Sequence, residues 1–132
     1  SLRGQSDERI TRVLTYRHPK ALLVKVESSS GESGWGEAES GLLPLMETFI
    51  HQGLKKNVLG RSIWDAEALW DRMFFDLHDL GPGGALTGAI SGIDLALWDL
   101  RGRLLKQPVY RLIGGQYRDR VKVYGSFGVG FG

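Results

Sequence analysis

The sequence contains no cysteine among its 132 residues, which excludes disulfide bonds, zinc–thiolate sites and thiol catalysis. It also has no run of like charge, because its 17 basic and 15 acidic residues are spread along the chain, and such runs are what bind phosphates or anionic membranes. The most apolar early stretch, residues 42–50, includes Pro44 and Glu47 and is shorter than the roughly 20 residues of a membrane span. We therefore expect a cytoplasmic protein with no nucleic-acid partner and no membrane partner.

What the sequence has instead is enough apolar surface for one folded domain, with 42% hydrophobic and 24% charged residues. Residues 1–8 begin without methionine, and we interpret them as a disordered tail or one left by an expression vector. Glycine is frequent, at 19 residues, which is double the usual share of about 7%. Where these glycines lie therefore matters for the fold.

The first part of the chain has the pattern of short β-strands. In residues 10–16, 21–27 and 33–38, β-branched and aromatic side chains alternate with polar or small ones. Residues 17–20 and 28–32 connect these runs and are rich in turn-forming residues. The sequence therefore predicts a three-stranded antiparallel meander.

After Gly41 the apolar period changes from two residues to three or four, which is typical of helices. The spacing predicts helices over residues 42–54, 66–77 and 86–104, and a short helical turn over 108–113. Small residues recur at helical spacing on the third helix, namely Ala85, Gly88, Ala89, Gly92 and Ala96. Because glycine destabilises a helix interior by about 0.5–1 kcal/mol relative to alanine, this pattern indicates that another backbone packs closely against the helix.

The end of the chain has a strand pattern that no helix follows. Residues 121–127 alternate as a strand does and lead into a glycine-rich segment, residues 128–132. We therefore predict an α+β fold, in which a three-stranded antiparallel meander is followed by a helical bundle and then by one strand of a further structure.

Three motifs occur in order along the chain, namely GWGEA at residues 34–38, AISGIDLALWD at residues 89–99 and PVYRLIGG at residues 108–115. With them, the sequence resembles the N-terminal domain of the mandelate racemase/muconate lactonizing group of the enolase superfamily over about residues 9–127. The resemblance implies that residues 9–118 form the capping domain. It also implies that residues 119–132 are the first strand and loop of a truncated TIM-type barrel.

Enzymes of this group abstract the proton α to a carboxylate, and Mg²⁺ stabilises the enediolate that results. The resemblance places the metal ligands and the general base on later strands of the barrel, so the Mg²⁺ is expected on the missing barrel. We therefore expect no catalytic residue and no metal ligand in this chain, and a fragment that is inactive alone.

Within the group, a short first loop with basic residues favours an acid-sugar dehydratase, whose substrate is a small polyhydroxylated carboxylate. Racemase, cycloisomerase and epimerase activities remain alternatives, because those enzymes share this cap, and a homo-oligomer is expected. From a different class, a stand-alone binding or oligomerisation module without catalysis also remains open, because a fold does not define a function.

Two loops of the cap are expected to shape the substrate pocket. In the first cap loop, residues 16–20, the candidate residues are Tyr16, Arg17, His18 and Lys20. Their basic side chains suit anionic or hydroxylated groups, and a solvated turn is the equal alternative. In the second cap loop, residues 39–45, the candidates are Leu42 and Leu43. They would exclude water from the site, although such leucines more often begin the core face of a helix.

Other candidate residues have weaker grounds. Tyr124 and Ser126 alternate on the predicted barrel strand, and one of this pair is expected to face the barrel interior. Glu37 and Glu39 point the same way if the strand continues, but we interpret Glu37 as structural and Glu39 as solvated. The histidines of the predicted helices have no second histidine at ligand spacing, which argues against a metal site.

Overall fold

The computed structural model describes residues 7–39, 41–81 and 83–125. Three strands, β1 (Ile10–His18), β2 (Ala21–Ser28) and β3 (Ser33–Ala38), form an antiparallel sheet in the order β1-β2-β3. The predicted meander is therefore confirmed. β1 extends two residues beyond its predicted end, since His18 still pairs with Ala21. The turn between β1 and β2 is accordingly only two residues long.

The central strand shows that the sheet has one covered face and one open face. Leu22, Val24 and Val26 are fully buried, whereas Leu23 is 39% exposed and Lys25 is partly exposed. Because successive side chains of a strand point to opposite faces, all three buried residues face the helices. The opposite face carries the exposed side chains.

The first helical region is longer than predicted. It consists of α1 (Leu43–Thr48), a π-helical turn (Phe49–Leu54) and α2 (Lys55–Val58), which follow one another without a break. The sequence predicted a helix over residues 42–54. Pro44 fits the first turn of α1, as expected for a residue that lacks a backbone donor. The helix continues to Val58 because that side chain extends the buried row of the preceding turns.

The remaining helices agree with the predicted order. They are α3 (Ala66–Leu77), which continues into a 3₁₀ turn (His78–Leu80), α4 (Gly84–Leu105) and α5 (Val109–Leu112). The core lies between the covered face of the sheet and these helices. Its largest fully buried side chains include Leu22, Met46, Ile50, Leu54, Met73, Ile90, Ile93 and Leu97. None of the helices in the described part of the chain combines the length and the apolar character needed to cross a membrane.

Glycines of β3 allow the long helix α4 to lie directly on the strand. A Cβ atom at Gly34 would be 2.1 Å from the carbonyl oxygen of Ala96, and one at Gly36 would be 2.3 Å from that of Gly92. Of the small residues predicted to admit a close backbone approach, Gly92 and Ala96 do so, and the backbone that approaches them is that of β3. The chain thus forms an α+β domain of a meander and helices.

The predicted strand over residues 121–127 is only partly described. Residues 121–125 form no strand and are exposed, and Ser126 and Phe127 lie outside the described residues. A strand requires a neighbour to supply hydrogen-bond partners. The assignment of residues 119–132 to a barrel therefore stays a prediction.

Candidate functional site

The two cap loops meet at one end of the sheet, although they are far apart in the sequence. A surface cavity of about 440 Å³ lies between them, and we call it the cap cavity. Its lining comes from the first cap loop and from the segment that leads into α1, and consists of Arg17, His18, Pro19, Gly41, Leu43 and Pro44. One wall therefore carries cationic and hydrogen-bonding groups, and the other is mainly apolar.

Three of the six predicted cap residues line this cavity, namely Arg17, His18 and Leu43. Leu43 is partly buried and also packs against the core. It therefore both lines the cavity and begins the core face of a helix, which are the two roles that the sequence left open. Lys20 lies exposed in the turn, and the Leu42 side chain is 61% exposed. Their roles in binding stay predictions.

Tyr16 lies on the other side of the sheet from Arg17, because the two residues are neighbours on one strand. The ring centroids of Tyr16 and Trp35 are 5.3 Å apart on the open face. The Nζ atom of Lys25 lies 5.7 Å from the centroid of Trp35, within the range of a cation–π contact. Tyr16 is therefore placed in an aromatic pair on the open face of the sheet.

Behind the cap cavity, a polar network joins β1 to α1 and the π-helical turn. Arg17 Nη1 lies 3.6 Å from Glu47 Oε2. Thr15 Oγ1 donates a hydrogen bond to Glu47 Oε1 at 2.8 Å and lies 2.7 Å from His51 Nε2. Since the single hydroxyl hydrogen of Thr15 is donated to Glu47, the contact with His51 fits the tautomer that has a hydrogen on Nε2.

Sequence reasoning missed this network, although part of its signal was present. Thr15 and Arg17 are two residues apart on β1 and therefore share a face, and Glu47 and His51 are four residues apart in the helical region. What the spacing does not reveal is that these two faces lie against each other. Their juxtaposition is a property of the tertiary structure.

The paired carboxylates Glu37 and Glu39 lie outside the cap cavity. They line a different depression of about 400 Å³, together with Thr87, Ser91 and other residues of α4. Within residues 7–39, 41–81 and 83–125, no group of three or more histidine or acidic side chains is arranged to hold a metal ion. The described residues therefore do not fit a magnesium centre, and no step of a reaction is assigned to a metal in this chain.

The two aspartates of α4 have structural contacts. Asp99 Oδ2 accepts hydrogen bonds from the Trp35 backbone N–H and from Arg103 Nε, each at 2.9 Å. Asp99 therefore ties the third strand to the long helix. Burial raises the pKa of Asp94, and this effect is partly offset by the positive charge of Arg101 and a hydrogen bond from Trp98.

Arg101 is a buried cation in the helical layer, with only 3% of its surface exposed. Its Nε donates to the carbonyl oxygen of Ile63, and its guanidinium carbon lies 4.8 Å from the centroid of the Trp98 ring. Burial lowers the pKa of Arg101. Among the described residues, Arg101 Nη1 and Nη2 and Trp64 Nε1 have no hydrogen-bond partner. Arg101 lies on α4 and Trp64 packs against the core, and neither residue lines the cap cavity.

Of the two candidates for the barrel interior, Tyr124 is 91% exposed, and Ser126 lies outside the described residues. In the described part of the chain no strand lies beside residues 121–125, so Tyr124 is not placed in a barrel interior. Their assignment stays a prediction.

The meander, the helices on one of its faces and the two loops that meet at its edge together define an α+β capping domain. Comparison with known families agrees with this class. The model of the mandelate racemase / muconate lactonizing enzyme N-terminal domain matches residues 9–114, and the chain belongs to this family.

Individual relatives support the same assignment. The chain is 40% identical to a D-galactonate dehydratase of Variovorax paradoxus over 122 residues, which are 91% of this chain and 31% of that protein. A mandelate racemase/muconate lactonizing enzyme-like protein from Rubrobacter xylanophilus has a TM-score of 0.82 and 37% identity, over 90% of this chain and 31% of that one.

A mandelate racemase/muconate lactonizing protein from Paracoccus denitrificans, whose structure is a complex with magnesium, has a TM-score of 0.76 and 34% identity over 84% of this chain and 31% of that one. The chain thus spans about a third of the length of these relatives. The magnesium of the Paracoccus denitrificans structure and the activity named for the Variovorax paradoxus relative are properties of proteins that are much longer than this chain.

Proposed function

We propose that this chain is the substrate-capping domain of a magnesium-dependent acid-sugar dehydratase. The observation that carries the proposal is the cap cavity, in which the two loops expected to shape a substrate pocket lie side by side. The similarity to D-galactonate dehydratases over most of the chain supports the choice of substrate class. The ligand is then a small polyhydroxylated carboxylate.

The lining of the cap cavity suits such a ligand. The guanidinium of Arg17 donates hydrogen bonds to hydroxyl or carboxylate oxygens, and charged donors of this kind form the stronger hydrogen bonds. Leu43 and Pro44 form an apolar wall opposite, which excludes water from the ligand. The two-residue turn between β1 and β2 is short, and it leaves the cavity open to a polyhydroxylated chain.

In this proposal the cap binds and orients the substrate, while the chemical step takes place on a barrel. When bound there, Mg²⁺ would supply positive charge to the developing enediolate. The structure of the Paracoccus denitrificans relative is a complex with magnesium. The side chains of Val121, Val123 and Tyr124 are 71%, 84% and 91% exposed. Exposed apolar side chains of this kind support the hypothesis that the segment packs against further structure, rather than the alternative of a stand-alone module.

The test compares two proteins. One is the 132-residue protein, and the other is the longer product of the same reading frame that also contains the proposed barrel. Each is incubated with D-galactonate and Mg²⁺, and formation of the 2-keto-3-deoxy acid is followed as its semicarbazone. We expect turnover only by the longer polypeptide, and an increased KM in its Arg17→Met variant. Turnover by the 132-residue protein would refute the proposal, as would racemisation or cycloisomerisation without dehydration by the longer one.

A further inference from the structure

The covered face of β1 changes from apolar to polar along the strand. Val13 is fully buried in the core, but the next two inward positions are Thr15 and Arg17, which lie over α1 and the π-helical turn. Thr15 is partly buried there, and a polar group that is shielded from water needs a hydrogen-bond partner. Glu47 supplies a partner to both of them.

The two oxygens of the Glu47 carboxylate have separate contacts. Oε1 accepts the hydrogen bond from Thr15 Oγ1 at 2.8 Å, while Oε2 lies 3.6 Å from Arg17 Nη1. His51 Nε2 lies 2.7 Å from Thr15 Oγ1 on the other side. Thr15 therefore orients the carboxylate, His51 acts on it only through Thr15, and the carboxylate in turn sets the direction of the Arg17 guanidinium.

We infer that Glu47 is a positioning residue, which holds Arg17 at the wall of the cap cavity. Glu47 is not among the residues that line the cavity, so its effect on a ligand passes through Arg17. The consequence for catalysis rests on the proposed function, but the effect on the first cap loop does not.

The network matters because Arg17 is otherwise weakly constrained. Its side chain is 52% exposed, and a long side chain at such a position loses much rotamer freedom when it binds a ligand. A guanidinium that is already oriented loses less, so the ligand binds more tightly. Each contact is weak by itself, but two of them share the Glu47 carboxylate, and the third, from His51, joins the network through Thr15.

The first experiment uses the 132-residue protein and needs no substrate. Amide hydrogen exchange is measured for residues 16–23 in the wild type and in Glu47→Gln, which removes the charge but can still accept from Thr15. We expect exchange in this segment to become about three- to tenfold faster, with residues 28–33 of the second hairpin unchanged. Asp71→Asn, an exposed carboxylate on α3, is the matched control and should change neither segment.

A second pair of variants keeps the test valid if Glu47→Gln unfolds the protein. Thr15→Val removes the hydroxyl that orients Glu47 and should accelerate exchange in residues 16–23 in the same way. Thr15→Ser retains the hydroxyl and should restore the wild-type rate. Unchanged exchange in both Glu47→Gln and Thr15→Val, with the proteins folded by circular dichroism, would overturn the inference.

The second experiment uses the barrel-containing polypeptide with D-galactonate and Mg²⁺. Glu47→Gln should raise KM about five- to tenfold and leave kcat within about twofold, because a positioning contact affects binding more than chemistry. The double variant Arg17→Met/Glu47→Gln should be no worse than Arg17→Met alone. A lowered kcat at constant KM, or additive effects, would refute the positioning role. A wild-type polypeptide without dehydratase activity would refute the proposed function, and the exchange experiment would still decide the role of Glu47.

Discussion

The contact between β3 and α4 provides the most demanding test of the fold, through Gly34→Ala. The new Cβ atom would lie 2.1 Å from the carbonyl oxygen of Ala96 and 2.3 Å from the backbone nitrogen of Leu100. Carbon and oxygen atoms that are not bonded normally stay more than about 3 Å apart. The clash is with helix backbone, so no side-chain rotation relieves it, and the strand and helix must separate.

The expected magnitude follows from what that separation disturbs. Overpacking that side chains can partly absorb costs about 1–3 kcal/mol. Here the obstructing atoms belong to the backbone of a 22-residue helix that carries much of the core. We therefore expect Gly34→Ala to lower the free energy of unfolding by at least about 3 kcal/mol, a large share of the roughly 5–15 kcal/mol of a typical domain.

The measurement is urea denaturation followed by far-ultraviolet circular dichroism, with Gly41→Ala as the control. A Cβ atom at Gly41 meets nothing within 4 Å, so that variant should be unchanged or more stable by up to about 1 kcal/mol. A loss of less than about 1 kcal/mol in Gly34→Ala would show that the strand and helix are not as close as described.

Further predictions concern the buried charges and the exposed end of the described chain. Arg101→Met should change the free energy of unfolding much less than Arg101→Ala. Both variants remove the incompletely paired buried charge, but methionine fills the space, whereas alanine leaves a cavity of the kind that costs about 2–5 kcal/mol. Equal losses of unfolding free energy in urea denaturation would contradict this prediction. Burial raises the pKa of Asp94 in the folded state, so the protonated form favours folding, and stability is lost as the pH rises from the ordinary aspartate range through the raised value. Asp94→Asn should remove that loss, and identical pH profiles of the two proteins would be evidence against it. Finally, Val121→Lys and Val123→Lys should reduce self-association of the 132-residue protein in sedimentation velocity, since both side chains are exposed; a wild type that stays monomeric at high concentration would argue against this surface.

Much of the fold could be predicted because its signals are local. The alternation in residues 21–27 and the helical spacing in residues 86–104 each reflect one element and the side of it that is buried. The small residues of α4, such as Gly92 and Ala96, predicted a close approach in the same way. Errors at the ends, as in the helix that continues to Val58, arose because helix ends depend on contacts with the rest of the core.

The candidate site was predictable only in part. Arg17, His18 and Leu43 were found from the sequence and do line one cavity. Tyr16 was grouped with them because it is adjacent in the chain, but strand alternation places it on the open face. Glu47 was recognised only as a polar residue in an apolar stretch, and nothing local indicates that it contacts Thr15 and Arg17.

By itself, the sequence determined the three strands of the sheet, the helices, their order and the family, because periodicity, turn residues and motifs act over a few neighbouring positions. The tertiary structure alone decided that β3 lies on the backbone of α4, that the two cap loops share a cavity and that Glu47 holds Arg17. The contacts of β3 with α4 and of Glu47 with Arg17 join positions about 30 or more residues apart in the chain. The two cap loops are closer in sequence, but only the folded sheet brings them together. Such contacts depend on how whole faces pack, and no short stretch of sequence carries that information.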